Sequence, residues 1–232
     1  MATTMYELLM QLPVFQGISS DQLTDIIEKI PFSFSQYEPG QTIIQQGEDC
    51  SALSFILSGT ICMQTPSYGH RVQILQEFEG PYTMPFYNLF GAETRYHDTV
   101  MAVTRVGIMQ LDKAHFLRVL QHNPILLINV LNMLCTNAQK QHKAMDFSGE
   151  SEPVLRLTSW MLAFTERSGM NIVLDAEIAD WCDLLQTDEA SFWRCVATLE
   201  GQHIVETDGR KLKLLDRYAL RTFIGRKTAQ NA

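Results

Sequence analysis

Three polar side chains near the C-terminus have the types and spacing that suit contact with a nucleic acid. Glu189, Ser191 and Arg194 fall in a stretch with helical periodicity, EASFWRCVATLEG. Arginine can bond guanine or phosphate, serine can contact a base edge or a phosphate, and glutamate can accept from the cytosine amino group. Acidic residues at the start of this helix repel phosphate, so they either read cytosine or only cap the helix.

A second group of polar side chains is basic and surrounds a turn. Arg210, Lys211 and Lys213 follow Asp208-Gly209, a dipeptide that predicts a β-hairpin between two short apolar runs. The chain of 232 residues has a net charge of −8, but from residue 201 onward it holds seven basic and three acidic residues. Because phosphate contact depends on local charge, this hairpin and the arginines after it could bind a nucleic-acid backbone.

The elements that must position these residues form a winged helix-turn-helix pattern. One helix is predicted in PVLRLTSWMLAFTER, and Asp175 is predicted to cap a second in AEIADWCDLL. A tight turn follows, then Asp188 caps the helix that carries Arg194, and the hairpin comes last. This order of elements is typical of DNA-binding domains.

The N-terminal part predicts a β-roll preceded by short helices. Helical spacing ends at Pro13, and Ser19 is placed to cap a second helix that ends before Pro31. From residue 32 to 112, short β-rich runs alternate with turn signals, which indicates a β-sandwich or β-roll. The fold class is therefore α+β.

A long helix is predicted from Pro124 to about residue 146. Apolar and small residues recur on it at alternating steps of four and three: Leu127, Leu131, Leu134 and Ala138. This seam favours a parallel homodimer, although the helix could instead pack on its own β-domain. With a polar break at SGESE (148–152), the predicted domains are 1–122 (sensor), 123–147 (dimerisation helix) and 148–232 (DNA binding).

Several function classes lack their sequence signals. The five cysteines are scattered without a CxxC pair, which fits a reducing cytoplasm and predicts neither a zinc nor an iron–sulfur site. HExxH, GxSxG and the phosphate-binding loop are missing from the sequence, so we expect no enzyme activity. No apolar run approaches the ~20 residues of a membrane helix.

The chain resembles the Crp/Fnr family of bacterial transcription regulators over nearly its whole length. The stretches that carry the resemblance are LPVFQGISSDQLTDI, YEPGQTIIQQGEDCSALSFILSGTI, HFLRVLQHNP and DAEIADWCDLLQTDEASFWRCVATLEGQHIV. The resemblance implies a homodimer that binds a pseudo-palindromic site on double-stranded DNA. It also implies an effector pocket in the β-roll and RNA polymerase as a further partner.

The chain departs from the family members that bind cyclic AMP. Those proteins hold the nucleotide with a Gly-Glu pair and, about ten residues later, an arginine that pairs with the phosphate. The corresponding positions here are Pro85-Phe86 and Tyr96-His97, and Arg95 lies one residue away from register. Since an unpaired buried phosphate costs several kcal/mol (order of magnitude), we predict an effector other than cyclic AMP. The iron–sulfur members need N-terminal cysteines, whereas the first cysteine here is Cys50.

The segment TMPFYNLFGAETRYHDTV is similar to the nitric-oxide- and nitrite-responsive members, in particular the hybrid-cluster-protein regulators. This similarity implies a flat apolar effector such as haem, in a pocket formed by Phe86, Tyr96, His97, Gln141, His142 and Met145. His142 and Met145 are the candidate axial ligands, with Met63 and His97 as further candidates. Each of them could instead be an ordinary core methionine or surface histidine.

Two other functions stay open at the level of sequence. The acidic net charge favours a ligand-binding sensor module that acts through protein–protein contacts. A regulator that needs no effector would have the same DNA-binding elements.

Overall fold

The computed structural model describes residues 4–67, 69, 71–146 and 152–231. The chain forms two compact units: residues 1–62 with 78–137, and residues 63–77 with 138–232. Helices pack on antiparallel sheets in both units, which confirms the predicted α+β class. The second unit takes in residues 63–77 from the predicted sensor domain, and the predicted domain boundaries stay predictions.

The first unit contains a sheet with the order β1-β8-β3-β6, and its strands β2 and β7 pair antiparallel in a second sheet, in which β7 lies next to β4. Its helices are α1 (Met5–Met10), α2 (Ser20–Lys29), α3 (Lys113–His122) and the start of α4 (Pro124–Asp146). Its strands are β1 (Phe32–Tyr37), β2 (Thr42–Ile44), β3 (Ala52–Ser58), the start of β4 (Thr60–Ser67), β6 (Tyr82–Thr83), β7 (Thr99–Ala102) and β8 (Val106–Asp112).

Local signals place the ends of these elements where the sequence predicts them. Ser19 caps α2: its hydroxyl accepts from Gln22 N–H, and the Gln22 side chain accepts from Ser19 N–H. Gly59 lies between β3 and β4 with φ +86°, and a Cβ there would collide with the carbonyl of Arg105. Only glycine therefore fits this turn.

The second unit contains helices and a β-hairpin in the order that the sequence predicts, together with a strand, β9, that the sequence does not predict. Its strands are β9 (Met170–Ala176), β10 (Val205–Asp208) and β11 (Lys211–Leu214), and they form a sheet in the order β10-β11-β9-β5, where β5 is Val72–Glu79. Its helices after α4 are α5 (Pro153–Phe164), α6 (Ile178–Leu185), α7 (Glu189–Glu200) and α8 (Arg217–Asn231).

The prediction that Asp175 caps α6 is wrong. Asp175 lies in β9, and Glu177 is the residue before the helix. The sequence MNIVLDA has alternating burial, with Ile172, Leu174 and Ala176 inside. Strand partners on both sides of β9 outweigh the capping preference of the aspartate.

Among the helices in the described part of the chain, none is long and apolar enough to span a bilayer.

Candidate nucleic-acid interface and effector site

The helix-turn-helix is held by a cluster of aromatic residues in the second unit. Trp181 of α6 is fully buried, stacks on Phe192 of α7 at 6.2 Å between ring centroids, and meets Trp160 edge to face at 5.7 Å. The Trp181 indole Nε1 donates to the carbonyl of Arg210 at 3.3 Å. We call the β10–β11 hairpin the wing. The Trp181 side chain therefore fixes α6 against both α7 and the wing.

Helix α7 begins as predicted. The Asp188 carboxylate accepts from Ser191 N–H at 2.8 Å, and Gln186 takes a left-handed conformation with φ 48° at the end of α6. This backbone hydrogen bond, with a second one from the Ser191 hydroxyl, lowers the pKa of Asp188 below its ordinary value. The start of α7 therefore carries a stable negative charge.

The three predicted residues of α7 lie on its accessible side and are linked to their neighbours. Arg194 is exposed and donates from Nη2 to the Ser191 hydroxyl at 2.7 Å, which in turn donates to Asp188 Oδ2 at 3.0 Å. Glu189 is exposed and accepts from the Trp193 indole at 3.3 Å. The chain Asp188–Ser191–Arg194 holds the guanidinium close to the helix surface.

Acidic residues before α6 lie next to the cations of the wing, and no local pattern in the sequence predicts this pairing. Arg210 Nε lies 2.9 Å from Asp175 Oδ1, and its Nη1 contacts Glu177. Lys211 Nζ lies 3.9 Å from Asp175, while Lys213 is exposed. Two of the three predicted wing cations are therefore partly neutralised within the unit, which weakens their attraction for phosphate.

Arg217, which follows the wing in the basic stretch, has a structural role. Its guanidinium is half-buried and donates to the carbonyls of Leu162 at 2.9 Å and Thr165 at 3.0 Å. It thus satisfies carbonyl groups at the end of α5. Burial lowers the pKa of Arg217. Because its guanidinium already binds these two carbonyl groups, Arg217 is not placed to contact phosphate.

The β-roll residues of the predicted effector pocket differ in exposure. Phe86 is buried and meets Phe116 edge to face at 6.2 Å, and Tyr96 is half-buried with its hydroxyl donating to the Ala52 carbonyl at 3.4 Å. Burial raises the pKa of Tyr96. His97 is exposed. Two of the three residues therefore contribute to the packed core of the first unit, and their role in an effector pocket stays a prediction.

The α4 residues of that predicted pocket fall in the second unit. His142 is exposed, and the side chains of Gln141 and Met145 lie outside the described residues. In the parts of the chain that the structure describes, no group of three or more His, Cys, Asp or Glu side chains could hold a metal ion.

The first unit contains a small apolar cavity between its helices and the β1-β8-β3-β6 sheet. The cavity measures about 10 Å³, and aromatic and aliphatic side chains line it, among them Phe15, Phe55 and Phe116. This volume holds about one water molecule, whereas a haem-sized ligand needs several hundred Å³. Phe86, Tyr96 and His97 do not line this cavity, so it does not test the predicted effector pocket, and haem binding stays a prediction.

Arg95, the one arginine near the cyclic-phosphate position, lies at the surface. Its Nη1 donates to the Gly47 carbonyl at 3.5 Å, and its Nε lies 3.6 Å from Asp49. The Arg95 side chain is 65 % exposed. It is therefore engaged outside the roll and does not supply a charge to the interior.

The residues of the predicted dimer seam are accessible on α4 with one exception. Leu127, Leu131 and Ala138 are exposed, while Leu134 is half-buried against the core of the first unit. Ile128, which the heptad pattern did not select, is 55 % exposed. On another side of α4, Leu126 and Val130 are buried. The helix thus packs on its own β-roll and still presents an apolar face.

Comparison with known proteins identifies the fold. Residues 34–123 match the family described as the cyclic nucleotide-binding domain. The catabolite activator protein of Thermus thermophilus is 16 % identical over 92 % of this chain and 99 % of its own, with a TM-score of 0.53. The chain has the fold of a catabolite activator protein. No curated protein matches the sequence significantly.

Two further solved structures are similar to the chain. The sensor domain of the transcriptional regulator DNR from Pseudomonas aeruginosa is 23 % identical over 56 % of this chain and 85 % of its own, with a TM-score of 0.48. Full-length DNR is 20 % identical over 96 % of this chain and 99 % of its own, with a TM-score of 0.46. The match to the cyclic nucleotide-binding domain lies before α6 and α7 in the chain.

Proposed function

We propose that this protein is a cytoplasmic transcription regulator of the Crp/Fnr type, without enzyme activity, that binds pseudo-palindromic DNA as a homodimer. The observation that carries the proposal is the winged helix-turn-helix in which α7 presents Arg194 and Ser191 at the surface. In this type of domain the second helix enters the major groove and its N-terminal half contacts base edges.

The exposed face of α4 supports the dimer. Leu127, Ile128 and Leu131 expose apolar side chains along two turns of this helix. In a parallel pair of helices these residues would be buried, and the two recognition helices would address successive major grooves roughly 34 Å apart. RNA polymerase is the expected further partner of such a regulator on DNA.

The dependence of DNA affinity on salt tests the proposal. The wild-type protein first selects its operator from random duplexes, and fluorescence anisotropy then gives the affinity for that operator and for a scrambled duplex. We expect the affinity for both to fall steeply with salt concentration and the operator to bind at least about 1,000-fold more tightly than the scrambled duplex. Weak binding to every duplex that does not change with salt would reject the DNA-binding function.

The same measurement separates the second candidate function, a sensor module that acts through protein–protein contacts. The observation that favours it is the neutralised wing, where Asp175 and Glu177 hold Arg210. A flat salt response together with binding of a small molecule would support this second function. A DNA-binding regulator that responds to no small molecule would be independent of an effector.

The effector proposed for the β-roll is an apolar ligand other than cyclic AMP, and haem is the first compound to test. Arg95 is engaged at the surface, and aromatic residues fill the roll. We expect calorimetry to show no saturable cyclic AMP binding at millimolar concentration. A haemin titration gives the second measurement: a Soret band that saturates at one haem per subunit and shifts with nitric oxide would support haem. A band that is unchanged in both His142→Ala and Met145→Ala would exclude these two residues as ligands, and the lack of a distinct band would exclude haem.

A further inference from the structure

Strand β5 continues the sheet of β10, β11 and β9, although it comes almost 100 residues earlier in the chain than β9. It pairs antiparallel with β9 on the side opposite β11. The paired residues are Val72↔Ala176, Gln73↔Asp175, Ile74↔Leu174, Leu75↔Val173 and Glu77↔Met170. Without β5, strand β9 would be an open edge with unpaired backbone groups.

The inner face of β5 belongs to the hydrophobic core of the second unit. Val72 and Ile74 are fully buried in the same cluster as Leu174, Trp160 and Trp181. Burying branched aliphatic side chains removes apolar surface from water and stabilises the folded unit. The core that supports the helix-turn-helix therefore includes side chains from β5.

A buried amide on β5 makes specific hydrogen bonds to the loop after α5. Gln76 is 2 % exposed, its Oε1 accepts from Glu166 N–H at 2.6 Å, and its Nε2 donates to the Phe164 carbonyl at 3.4 Å. A Cβ at Gly169 would lie 2.8 Å from the Gln76 oxygen, so this loop is shaped to receive the amide. Buried polar groups with matched partners select one arrangement over others.

Arg71, immediately before β5, joins this strand to the first helix of the helix-turn-helix. Its Nε donates to Asp180 Oδ1 and its Nη2 to Asp183 Oδ2, both at 2.5 Å. The two aspartates lie one turn apart on α6. One guanidinium therefore bonds two successive turns of α6 and neutralises carboxylates on the helix that packs against α7.

We propose that β5 completes the DNA-binding unit and that Arg71 is a positioning residue for α6. The proposal rests on the DNA-binding function proposed above. The docked strand supports DNA binding, because it closes the core under the helix-turn-helix and brings Arg71 to Asp180 and Asp183, where its positive charge offsets one of the two negative charges that would repel phosphate. A segment of the predicted sensor domain thereby becomes part of the DNA-reading unit.

A cross-strand disulfide tests whether the docked strand is compatible with DNA binding. Leu75→Cys with Val173→Cys joins two register partners, and Leu75→Cys with Asn171→Cys is the mismatched control; both carry Cys135→Ser to remove an exposed thiol. We expect efficient oxidation of the matched pair only, and operator affinity of the oxidised protein within about twofold of the reduced protein. Failure to cross-link would overturn the docking. Cross-linked protein that loses operator binding would show that docking opposes DNA binding.

Substitutions that change the charge at Arg71 test its contact with Asp180 and Asp183. We expect Arg71→Gln to weaken operator binding by about fivefold, since two exposed ion pairs are lost and two carboxylates are uncovered. Arg71→Glu with Asp183→Arg should restore part of this loss. Arg105→Gln is the matched control, because Arg105 is an exposed arginine that pairs with Glu38 in the first unit. An Arg71→Gln protein with unchanged operator affinity would overturn the positioning role.

DNA binding by the wild-type protein and cross-linking of the matched cysteine pair test the proposed function and the docking of β5 separately. If the wild-type protein binds no DNA, the function is rejected, while cross-linking of the matched pair still decides whether β5 is docked. Hydrogen exchange gives the same decision without substitutions. We expect the β9 amides that face β5 to be as protected as those that face β11, and rapid exchange of the β5-facing amides alone would overturn the docking.

Discussion

Replacing Leu131 by glutamate should convert the protein to a monomer and reduce its operator affinity by about 100-fold or more. Leu131 is 45 % exposed in the single chain, so a carboxylate there costs the folded subunit little. In a parallel dimer the same position faces its counterpart across an apolar seam, where two carboxylates would be buried without partners. Loss of the dimer also removes the avidity that links the two half-sites.

Sedimentation equilibrium and operator binding check this prediction together. Thr136→Glu is the matched control, because Thr136 is exposed on the same helix outside the predicted seam. We expect the control to stay dimeric and to bind DNA like the wild type. Thermal unfolding of both variants should be close to that of the wild-type subunit. A Leu131→Glu protein that remains dimeric would reject α4 as the dimer helix.

The second large effect is expected at Arg194. Its guanidinium is exposed on α7 and donates to Ser191 from Nη2 alone, and a guanidinium has further N–H donors with which it can bond guanine through two hydrogen bonds. Arg194→Ala should weaken operator binding by about 10- to 100-fold, which corresponds to roughly 1–3 kcal/mol. Binding to a scrambled duplex should change much less, because phosphate attraction does not depend on sequence.

Lys211→Ala is the comparison for Arg194→Ala. Lys211 lies on the wing and already has Asp175 3.9 Å away, so its removal should weaken binding to operator and scrambled duplex alike and by a smaller factor. Arg194→Lys keeps the charge but not the paired hydrogen bonds, and it should lose specificity with little change in salt dependence. Equal losses on both duplexes for Arg194→Ala would contradict its role in reading bases.

Elements whose ends depend on neighbouring residues could be predicted from the sequence. Ser19 and Asp188 cap their helices because a side-chain oxygen reaches an amide three residues later, and Pro124 begins α4 because its missing N–H is not needed there. The Asp208-Gly209 turn predicts the wing because glycine tolerates its φ of +60°. These signals predict the start of α4, the turn before α7 and the hairpin, and the heptad spacing predicts the exposure of Leu127 and Leu131.

Contacts between residues far apart in the chain could not be predicted in this way. The pairing of β5 with β9 leaves no local signal, since alternating apolar residues fit many partners equally well. Asp175 was expected to cap a helix and instead pairs with Arg210, and Arg217 leaves the basic surface to bind the carbonyls after α5. Charge counts along the sequence do not show which cations have partners in the fold.

The sequence by itself therefore determined the caps of α2 and α7, the start of α4, the turn of the wing and the side chains that α7 presents. The tertiary structure decided that Arg210 is partly neutralised, that Phe86 and Tyr96 pack into the β-roll, and that Arg71 and β5 belong to the winged sheet. The physical reason is the range of the interactions. Capping and turn preferences act over three or four residues, whereas strand pairing and ion pairing act across about 100 residues and take effect only when the chain is folded.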